Sequence, residues 1–355
     1  MRRLCSVGIG PYRMLQRVRF YCALACLLVP QATRAADAPG TLRLGHFPNI
    51  THAQALYARA TGDFEKKIGV PIRWSSFNAG PTAIEALFGN AIDAVFLGPS
   101  PAINGYIKSK GEKFVIISGA ASGGAGLVLR RDVQINDVTQ FHGKIIATPQ
   151  LANTQDVAAR MFFTQHGYKF KEKGGTLAIV PLANPDQLTM FHRKQIDGAW
   201  TVEPWLSRLE IEGGGQLVLD EKTLWPNGRY VTTLLVVSRS FLASNPAVVS
   251  KLLAAHVEAT QQINGDKAAA AKILNAELRK ETGKSLKPEV IARAMERVEF
   301  TWDPVSASLH KSAEAAHKLL FLRKPPDLQG IFMLDPLNEV LKDKDLPPIG
   351  SRAHE

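Results

Sequence analysis

The sequence predicts an α/β fold in which short apolar strands, forming mostly parallel sheets, alternate with amphipathic helices. Two observations predict this class directly: apolar runs of strand length alternate with segments of helical periodicity, and a capping or proline-marked helix start follows almost every strand. That alternation is typical of parallel layers covered by helices. At 355 residues and 45% hydrophobic composition, the chain is long enough for two domains of ordinary size.

The first joint between a strand and a helix shows the pattern that recurs along the chain. Thr41 to Gly45 is a predicted buried strand, and residues 53–60 carry apolar side chains at helical spacing. Thr51 and Gln54 match the capping box S/T-x-x-Q, and Gly62 stands where a left-handed cap would end the helix. A strand that runs into such a helix directs backbone N–H groups and a positive dipole end beyond the strand, which suits a small anion.

Further joints of this kind follow in order. The predicted strands after the first are 70–77, 93–97, 114–120, 126–130, 144–148, 177–182, 197–202, 216–219 and 232–237. Ser100 before Pro101 and Asn153 are predicted N-caps, and residues beyond 240 are predicted to be mainly helical. Residues 92–100 and 196–204 resemble each other, as two similar lobes would require, although any two strand–helix units look alike at this level.

The first 35 residues are predicted to be a cleaved secretory signal peptide. Arginines precede the apolar run Phe20 to Pro30, which is too short to span a bilayer, and small residues follow at Thr33 and Ala35. All three cysteines lie in this segment, so the mature chain is expected to have no disulfide, Cys nucleophile or Cys-ligated zinc. Removing its six arginines lowers the formal net charge from +11 to +5, and the remaining basic residues are scattered, which argues against a nucleic-acid partner.

Ligands of open parallel sheets bind beyond the carboxyl ends of the strands, where the predicted helix starts collect. If two lobes face each other, their joints line one cleft, and most side chains there are neutral hydrogen-bond donors. Such groups can hold an oxyanion without a buried ion pair. The predicted ligand-binding residues are Asn49, Asn78, Ser100, Asn153, Thr154, Gln155, Trp200 and Glu203.

Several of these residues have a plainer interpretation. Ser100 and Asn153 can act as helix caps alone, and Trp200 can be a core residue instead of a cleft wall. Glu203 can interact favourably with a helix dipole, accept a hydrogen bond from a ligand amine, or bridge to the opposite lobe. His46 and His52 have no third ligand marked nearby, so no metal site is predicted.

No motif in the sequence indicates catalysis. There is no G-x-S-x-G elbow, no S-x-x-K with its partners, no H-E-x-x-H and no Cys outside the signal peptide. The glycine-rich stretch 123–126 lacks the spacing of a phosphate or dinucleotide loop. We therefore expect a binding protein that is not an enzyme and needs no cofactor.

Five stretches in order carry a family resemblance: 42–56, 93–101, 143–156, 197–205 and 230–237. The chain resembles the periplasmic solute-binding proteins of ABC importers for nitrate, sulfonate and taurine, which have the type II binding-protein fold. The resemblance implies two lobes joined by two crossing strands, with a ligand cleft between them. Lobe 1 would comprise residues 41–130 plus 238–345, and lobe 2 residues 131–237.

The resemblance also implies a function. The oxyanion would be held by Asn49, Ser100, Thr154 and Gln155, with Trp200 and Glu203 closing the side of lobe 2. We expect a monomeric periplasmic protein that captures an aliphatic sulfonate, or nitrate, taurine or bicarbonate, and delivers it to the transmembrane subunits of an ABC permease. Sulfonate-binding members often have Asp-Pro where this chain has Glu203-Pro204, which bears on the organic part of the ligand.

Two alternatives remain open from the sequence. One is a binding protein for a neutral heterocycle such as a thiamine pyrimidine precursor, which would need stacking from Trp200 and Trp205. The other is an enzyme that acts on a metabolite in the same cleft, for which Glu203 and the histidines are the available groups.

Overall fold

The strands assemble into two sheets in the computed structural model, which describes residues 40–350. The first sheet consists of β1 (Leu42–His46), β2 (Ile72–Ser76), β3 (Ala94–Leu97), β4 (Phe114–Gly123), β10 (Val231–Ser238) and β11 (Val298–Phe300). Its spatial order is β11-β4-β10-β3-β1-β2. Strands β2, β1 and β3 are parallel, whereas β10 runs antiparallel to both β3 and β4.

The second sheet repeats this arrangement. It consists of β5 (Ala125–Arg130), β6 (Ile145–Thr148), β7 (Ala178–Pro181), β8 (Gly198–Val202) and β9 (Gly215–Asp220), in the order β7-β6-β8-β5-β9. Strands β7, β6 and β8 are parallel, and β5 runs antiparallel to its neighbours β8 and β9. The similar segments 92–100 and 196–204 thus occupy equivalent positions, at β3 and β8.

Helices cover both sheets. Those between the strands of the two parallel parts are α1 (Ala53–Thr61), α2 (Asp63–Ile68), α3 (Gly80–Phe88), α4 (Pro99–Lys108), α5 (Thr154–Gln165), α6 (Asn184–His192) and α7 (Trp205–Ile211). The C-terminal part adds α8 (Arg239–Ser244), α9 (Pro246–Gly265), α10 (Lys267–Thr282), α11 (Pro288–Arg297), α12 (Ser306–Lys318) and α13 (Asp335–Asp343). None of the helices between residues 40 and 350 is long and apolar enough to cross a membrane.

The predicted α/β class is confirmed, with two sheets flanked by helices. Each sheet is mixed, because β10 and β5, the strands that the chain enters after changing sheets, run against the parallel part. The chain leaves the first sheet at Gly124, between β4 and β5, and returns between β9 and β10. The predicted signal peptide lies outside the described residues.

Apolar side chains pack on both faces of the strands. Val115, Ile117 and Leu235 of the first sheet face α9, while Val95 and Val236 pack toward α4 and α12. In the second sheet, separate apolar clusters lie on the α5 side and on the α6 and α7 side. Burial on both faces explains why these strands are continuous apolar runs in the sequence.

Two of the predicted caps are wrong. Gln54 does not reach back to a helix start; its Nε2 donates to the carbonyl of Ala120 at 2.7 Å and to Thr260 Oγ1 at 3.2 Å. Helix α4 begins at Pro99, so Gly98 is its N-cap and Ser100 lies within the first turn. The side chain of Gln54 thus bonds a buried carbonyl of β4 instead of capping its own helix. The left-handed end at Gly62 is confirmed.

Candidate functional site

A small cavity lies where the carboxyl ends of parallel strands from both sheets meet. It encloses about 30 Å³, roughly the volume of one water molecule in the liquid. The residues that line it are Phe47, Asn49, Thr51, His52, Gly80, Gly98, Pro101, Asn153, Thr154, Gln155, Val202 and Thr232. We call it the head-group cavity, because its size suits one compact polar group.

The lining of the head-group cavity is neutral and rich in donors. Within the described residues 40–350, no Lys, Arg, Asp or Glu lines it. Helices α4 and α5 begin beside it, after β3 and β6 respectively. Because the first backbone N–H groups of a helix lack intrahelical partners, these starts place partial positive charge around the cavity. The arrangement suits an anion that accepts several hydrogen bonds.

Ser100 and Thr154 connect the two halves of the site, of which one follows strands of the first sheet and the other follows strands of the second. The backbone N–H of Ser100 on α4 donates to Thr154 Oγ1 at the start of α5, at 3.4 Å. A Cβ placed on Gly98 would lie 2.3 Å from the same oxygen. Glycine at position 98 therefore allows the two helix starts to approach closely enough to share one cavity.

His52, which was not among the predicted ligand-binding residues, lines the cavity and presents a donor. Its Nδ1 accepts the backbone N–H of Phe47 at 3.3 Å, which leaves the proton on Nε2. Burial, with a smaller contribution from His46, lowers the pKa of His52 well below its ordinary value. The ring is therefore neutral at pH 7, and its Nε2–H can donate to a ligand.

Asn49 lines the cavity, as predicted, and also contacts the other half of the molecule. Its Oδ1 accepts from Trp205 Nε1 on α7 at 3.1 Å, so its NH₂ group remains to face a ligand. The neighbouring Ile50 N–H donates to the carbonyl of Glu203 at 3.1 Å. These two bonds hold the segment after β1 against the segment after β8.

Asn153 is both a helix cap and a cavity residue. Its Oδ1 accepts from Asp156 N at 2.8 Å, which confirms the predicted cap, and its Nδ2 donates to Gln155 Oε1 at 3.1 Å. The amide of Gln155 is thereby oriented, with its oxygen engaged and its NH₂ available. Asn153, Thr154 and Gln155 all line the cavity.

Trp200 does not line the head-group cavity. Its side chain is fully buried, and its Nε1 donates to Glu221 Oε2 at 2.7 Å. The ring packs against Phe162, with 5.5 Å between ring centroids. The structure thus favours the core interpretation of Trp200, with the further effect that it holds the carboxyl of Glu221.

Glu203 is also buried away from the cavity. Its carboxylate accepts from Ser207 N and Oγ at 3.1 and 2.8 Å, and from Arg297 Nη1 on α11 at 3.2 Å. Burial raises the pKa of Glu203 to about 7, against the opposing effect of the Arg297 charge. Of the roles considered for Glu203, the contacts favour the bridge to the opposite half.

Asn78 is exposed and does not line the cavity. Ser100, also predicted to bind ligand, does not line the cavity either, although its backbone N–H contacts Thr154 Oγ1. His52 and Thr232 line the cavity as residues outside the predicted set. Thr232 Oγ1 donates to the carbonyl of Gly123 at 2.6 Å, which fixes β10 beside the crossing. Only its strand position, next to a crossing segment, could have marked Thr232 in the sequence.

Among residues 40–350, no group of three His, Cys, Asp or Glu side chains is placed to hold a metal ion.

Comparisons with known proteins agree with the fold. The taurine-binding periplasmic protein of Escherichia coli (strain K12) is 24% identical over 207 residues, which are 58% of this chain and 62% of that protein. The match therefore spans less than two thirds of the length of this curated relative.

Two solved structures have the same fold. The alkanesulfonate-binding protein SsuA from Xanthomonas axonopodis pv. citri bound to MOPS is 19% identical, with a TM-score of 0.68, over 84% of this chain and 100% of that one. The periplasmic nitrate-binding protein NrtA from Synechocystis PCC 6803 is 15% identical, with a TM-score of 0.74, over 87% of this chain and 90% of that one.

Both structures confirm the predicted two-lobed fold of periplasmic binding proteins. The model of the NMT1-like family matches residues 35–277, more than half of the chain. The chain belongs to the NMT1-like family.

Proposed function

We propose that this protein is the periplasmic solute-binding component of an ABC importer, and that it captures a small oxyanion, above all the sulfonate group of an aliphatic sulfonate. The observation that carries the proposal is the head-group cavity, in which neutral donors and helix starts from both sheets converge. The names of the relatives support it, since one is a taurine-binding and another an alkanesulfonate-binding protein. Nitrate, taurine and bicarbonate are other candidates of the same chemical class.

The head group would be held from both halves of the molecule. Asn49 and His52 would donate from the segment after β1, and Thr154 and Gln155 from α5. Ser100 of α4 would act at the edge of the cavity, where its backbone N–H contacts Thr154 Oγ1. Asn153 would act through its neighbours, since it caps α5 and orients Gln155. Because these donors lie in two halves, a bound oxyanion would hold the halves together, and the permease would recognise that closed shape.

The two sheets support the division into lobes. The family resemblance in the sequence places residues 41–130 plus 238–345 in lobe 1 and residues 131–237 in lobe 2. We propose that the boundaries lie instead at the crossings, at Gly124 and between β9 and β10, because β5 pairs in the second sheet and β10 in the first. We also propose that residues 1–35 direct export, that the mature protein is a periplasmic monomer, and that its protein partner is the pair of transmembrane permease subunits.

The alternatives from the sequence receive no support from the site. A heterocycle would need Trp200 and Trp205 as stacking walls, yet neither lines the head-group cavity. For an enzyme, Glu203 lies outside the cavity and its carboxyl is engaged by Ser207 and Arg297. We therefore propose a binding function without catalysis.

A thermal-shift screen of the mature protein tests the proposal. A ligand that binds only the folded state at one hundred times its Kd adds about 2.7 kcal/mol to the free energy of unfolding, so the melting temperature should rise by several degrees. We expect this shift with an alkanesulfonate, nitrate, taurine or bicarbonate. No shift with any oxyanion, together with a shift for a pyrimidine, would contradict the proposal.

The double substitution Ser100→Ala with Thr154→Ala should abolish the ligand-induced shift. Because it removes one interlobe hydrogen bond and two small hydroxyls, the free protein should melt within a few degrees of the wild type. Thr189→Ala, an exposed position on α6, is the matched control and should leave the shift intact. Retention of the full shift in the double variant would exclude both hydroxyls from ligand binding.

A further inference from the structure

A second, larger cavity adjoins the head-group cavity. It encloses about 340 Å³; Thr154 lines both cavities, and Ser100 lines this one. Its walls come from α5 on one side and α12 on the other, and its floor comes from the segment that leads into β10. We call it the lateral cavity. Its volume falls within the range of small-molecule sites, roughly 300–1,000 Å³.

Apolar and aromatic side chains make up about half of the lining of the lateral cavity, and polar side chains such as Gln165 and Glu221 make up the rest. Met161 and Phe162 contribute from α5, while Trp225 and Tyr230 contribute from the floor. The rings of Trp225 and Tyr230 stack at 5.5 Å with an interplanar angle of 9°. Tyr230 Oη also accepts the backbone N–H of Ala125 at 3.2 Å, so this wall is anchored to the start of β5.

The two cavities are suited to two chemically different parts of one ligand. The head-group cavity has room for one compact polar group and no room for an organic substituent. A substituent attached to that group must therefore extend past the donors that hold it. At Thr154 the adjoining space is the lateral cavity, whose apolar and aromatic side chains can cover an apolar group and remove it from water.

We propose that the lateral cavity binds the organic part of the ligand, and that this part is an apolar group of about the size of an aromatic ring attached to the oxyanion. This inference rests on the proposed function and narrows it, because it favours a bulky organosulfonate over nitrate, bicarbonate or a two-carbon sulfonate. Lys311 and Lys318 lie exposed at the outer edge of the cavity, on the α12 side, where the ligand meets solvent.

Titration of the mature protein with methanesulfonate, butanesulfonate and benzenesulfonate tests the inference. Each buried methylene should raise the affinity about fourfold, because burial removes apolar surface from water. We expect benzenesulfonate to bind at least tenfold more tightly than methanesulfonate, as measured by isothermal calorimetry. Equal affinity for all three would overturn the inference while leaving the proposed function intact, whereas no binding of any sulfonate would overturn both.

Two substitutions fill the lateral cavity from opposite walls. Ala158→Leu on α5 and Ala315→Phe on α12 should each weaken benzenesulfonate binding at least tenfold and leave methanesulfonate binding unchanged. Unchanged methanesulfonate affinity also shows that each variant is folded. Ala268→Leu, at an exposed position of α10, is the matched control and should not alter either affinity. Wild-type benzenesulfonate affinity in both cavity variants would place the organic group elsewhere and overturn the inference.

Discussion

Glu221 should make the stability of the protein depend on pH, and Glu221→Gln should remove that dependence. The side chain is 2% exposed, and its Oε2 accepts from Trp200 Nε1 at 2.7 Å. Burial raises the pKa of Glu221 from 4.5 to about 7, and hydrogen bonds from Trp200 and Trp225 oppose the shift only in part. Glutamine keeps the shape and the acceptor oxygen but does not titrate.

The size of the effect follows from the two pKa values. Between pH 4.5 and about 7, the folded protein binds a proton that the unfolded chain has released. The stabilisation is fully present below pH 4.5 and is lost as the pH rises through the folded pKa, for a total of about 3 kcal/mol. Glu203, whose pKa is also raised to about 7, should contribute a loss of the same sign.

Urea unfolding at pH 5, 6, 7 and 8, followed by far-UV circular dichroism, measures this dependence. We expect the loss of unfolding free energy between pH 5 and pH 8 to be about 2.5 kcal/mol smaller in Glu221→Gln than in the wild type, because part of the total is already lost at pH 5. Glu314→Gln, an exposed position on α12, is the matched control and should keep the wild-type profile. A Glu221→Gln profile parallel to that of the wild type would refute the reasoning.

Three further substitutions test contacts across the molecule. Gly98→Ala should weaken oxyanion binding at least tenfold in calorimetry, because the new Cβ would lie 2.3 Å from Thr154 Oγ1. Wild-type affinity would show that the two helix starts need not approach so closely. Gln54→Leu should lower the free energy of urea unfolding by about 1–3 kcal/mol, since a buried carbonyl loses its donor, and an unchanged midpoint would contradict this assignment. Arg297→Met should destabilise the protein by about 1–3 kcal/mol at pH 8 and by less at pH 5. At pH 8 the Glu203 carboxylate is charged and loses its paired cation, whereas at pH 5 it is protonated. Equal losses at both pH values would argue against the ion pair.

Local patterns in the sequence were enough to predict the elements of this fold. Strands such as β6 and β8 are buried on both faces, so their apolar runs stand out from the amphipathic helices between them. The cap at Asn153 and the helix end at Gly62 depend on neighbours within a few residues, and both are confirmed. Asn49, Ser100, Thr154 and Gln155 follow strand ends, and this position predicted that they would lie near one another. Asn49, Thr154 and Gln155 line one cavity, and Ser100 contacts Thr154.

The tertiary structure decided the roles that depend on distant partners. Gln54 donates to a carbonyl 66 residues away instead of capping its own helix. Trp200 and Glu203 were predicted to face a ligand, but Glu221 and Arg297 engage their polar atoms within the protein. The proton of the His52 ring is assigned to Nε2 because Nδ1 accepts the Phe47 amide, a contact that no local pattern predicts.

The sequence by itself therefore determined which segments form strands and helices, and that their junctions would collect neutral donors. Periodicity and capping act over one or two turns, so they can be read from neighbouring residues. The way in which the two sheets meet decided which donors face the cavity and which form hydrogen bonds within the protein. The aromatic lateral cavity exists only because α5, α12 and the segment before β10, far apart in the chain, enclose the same space.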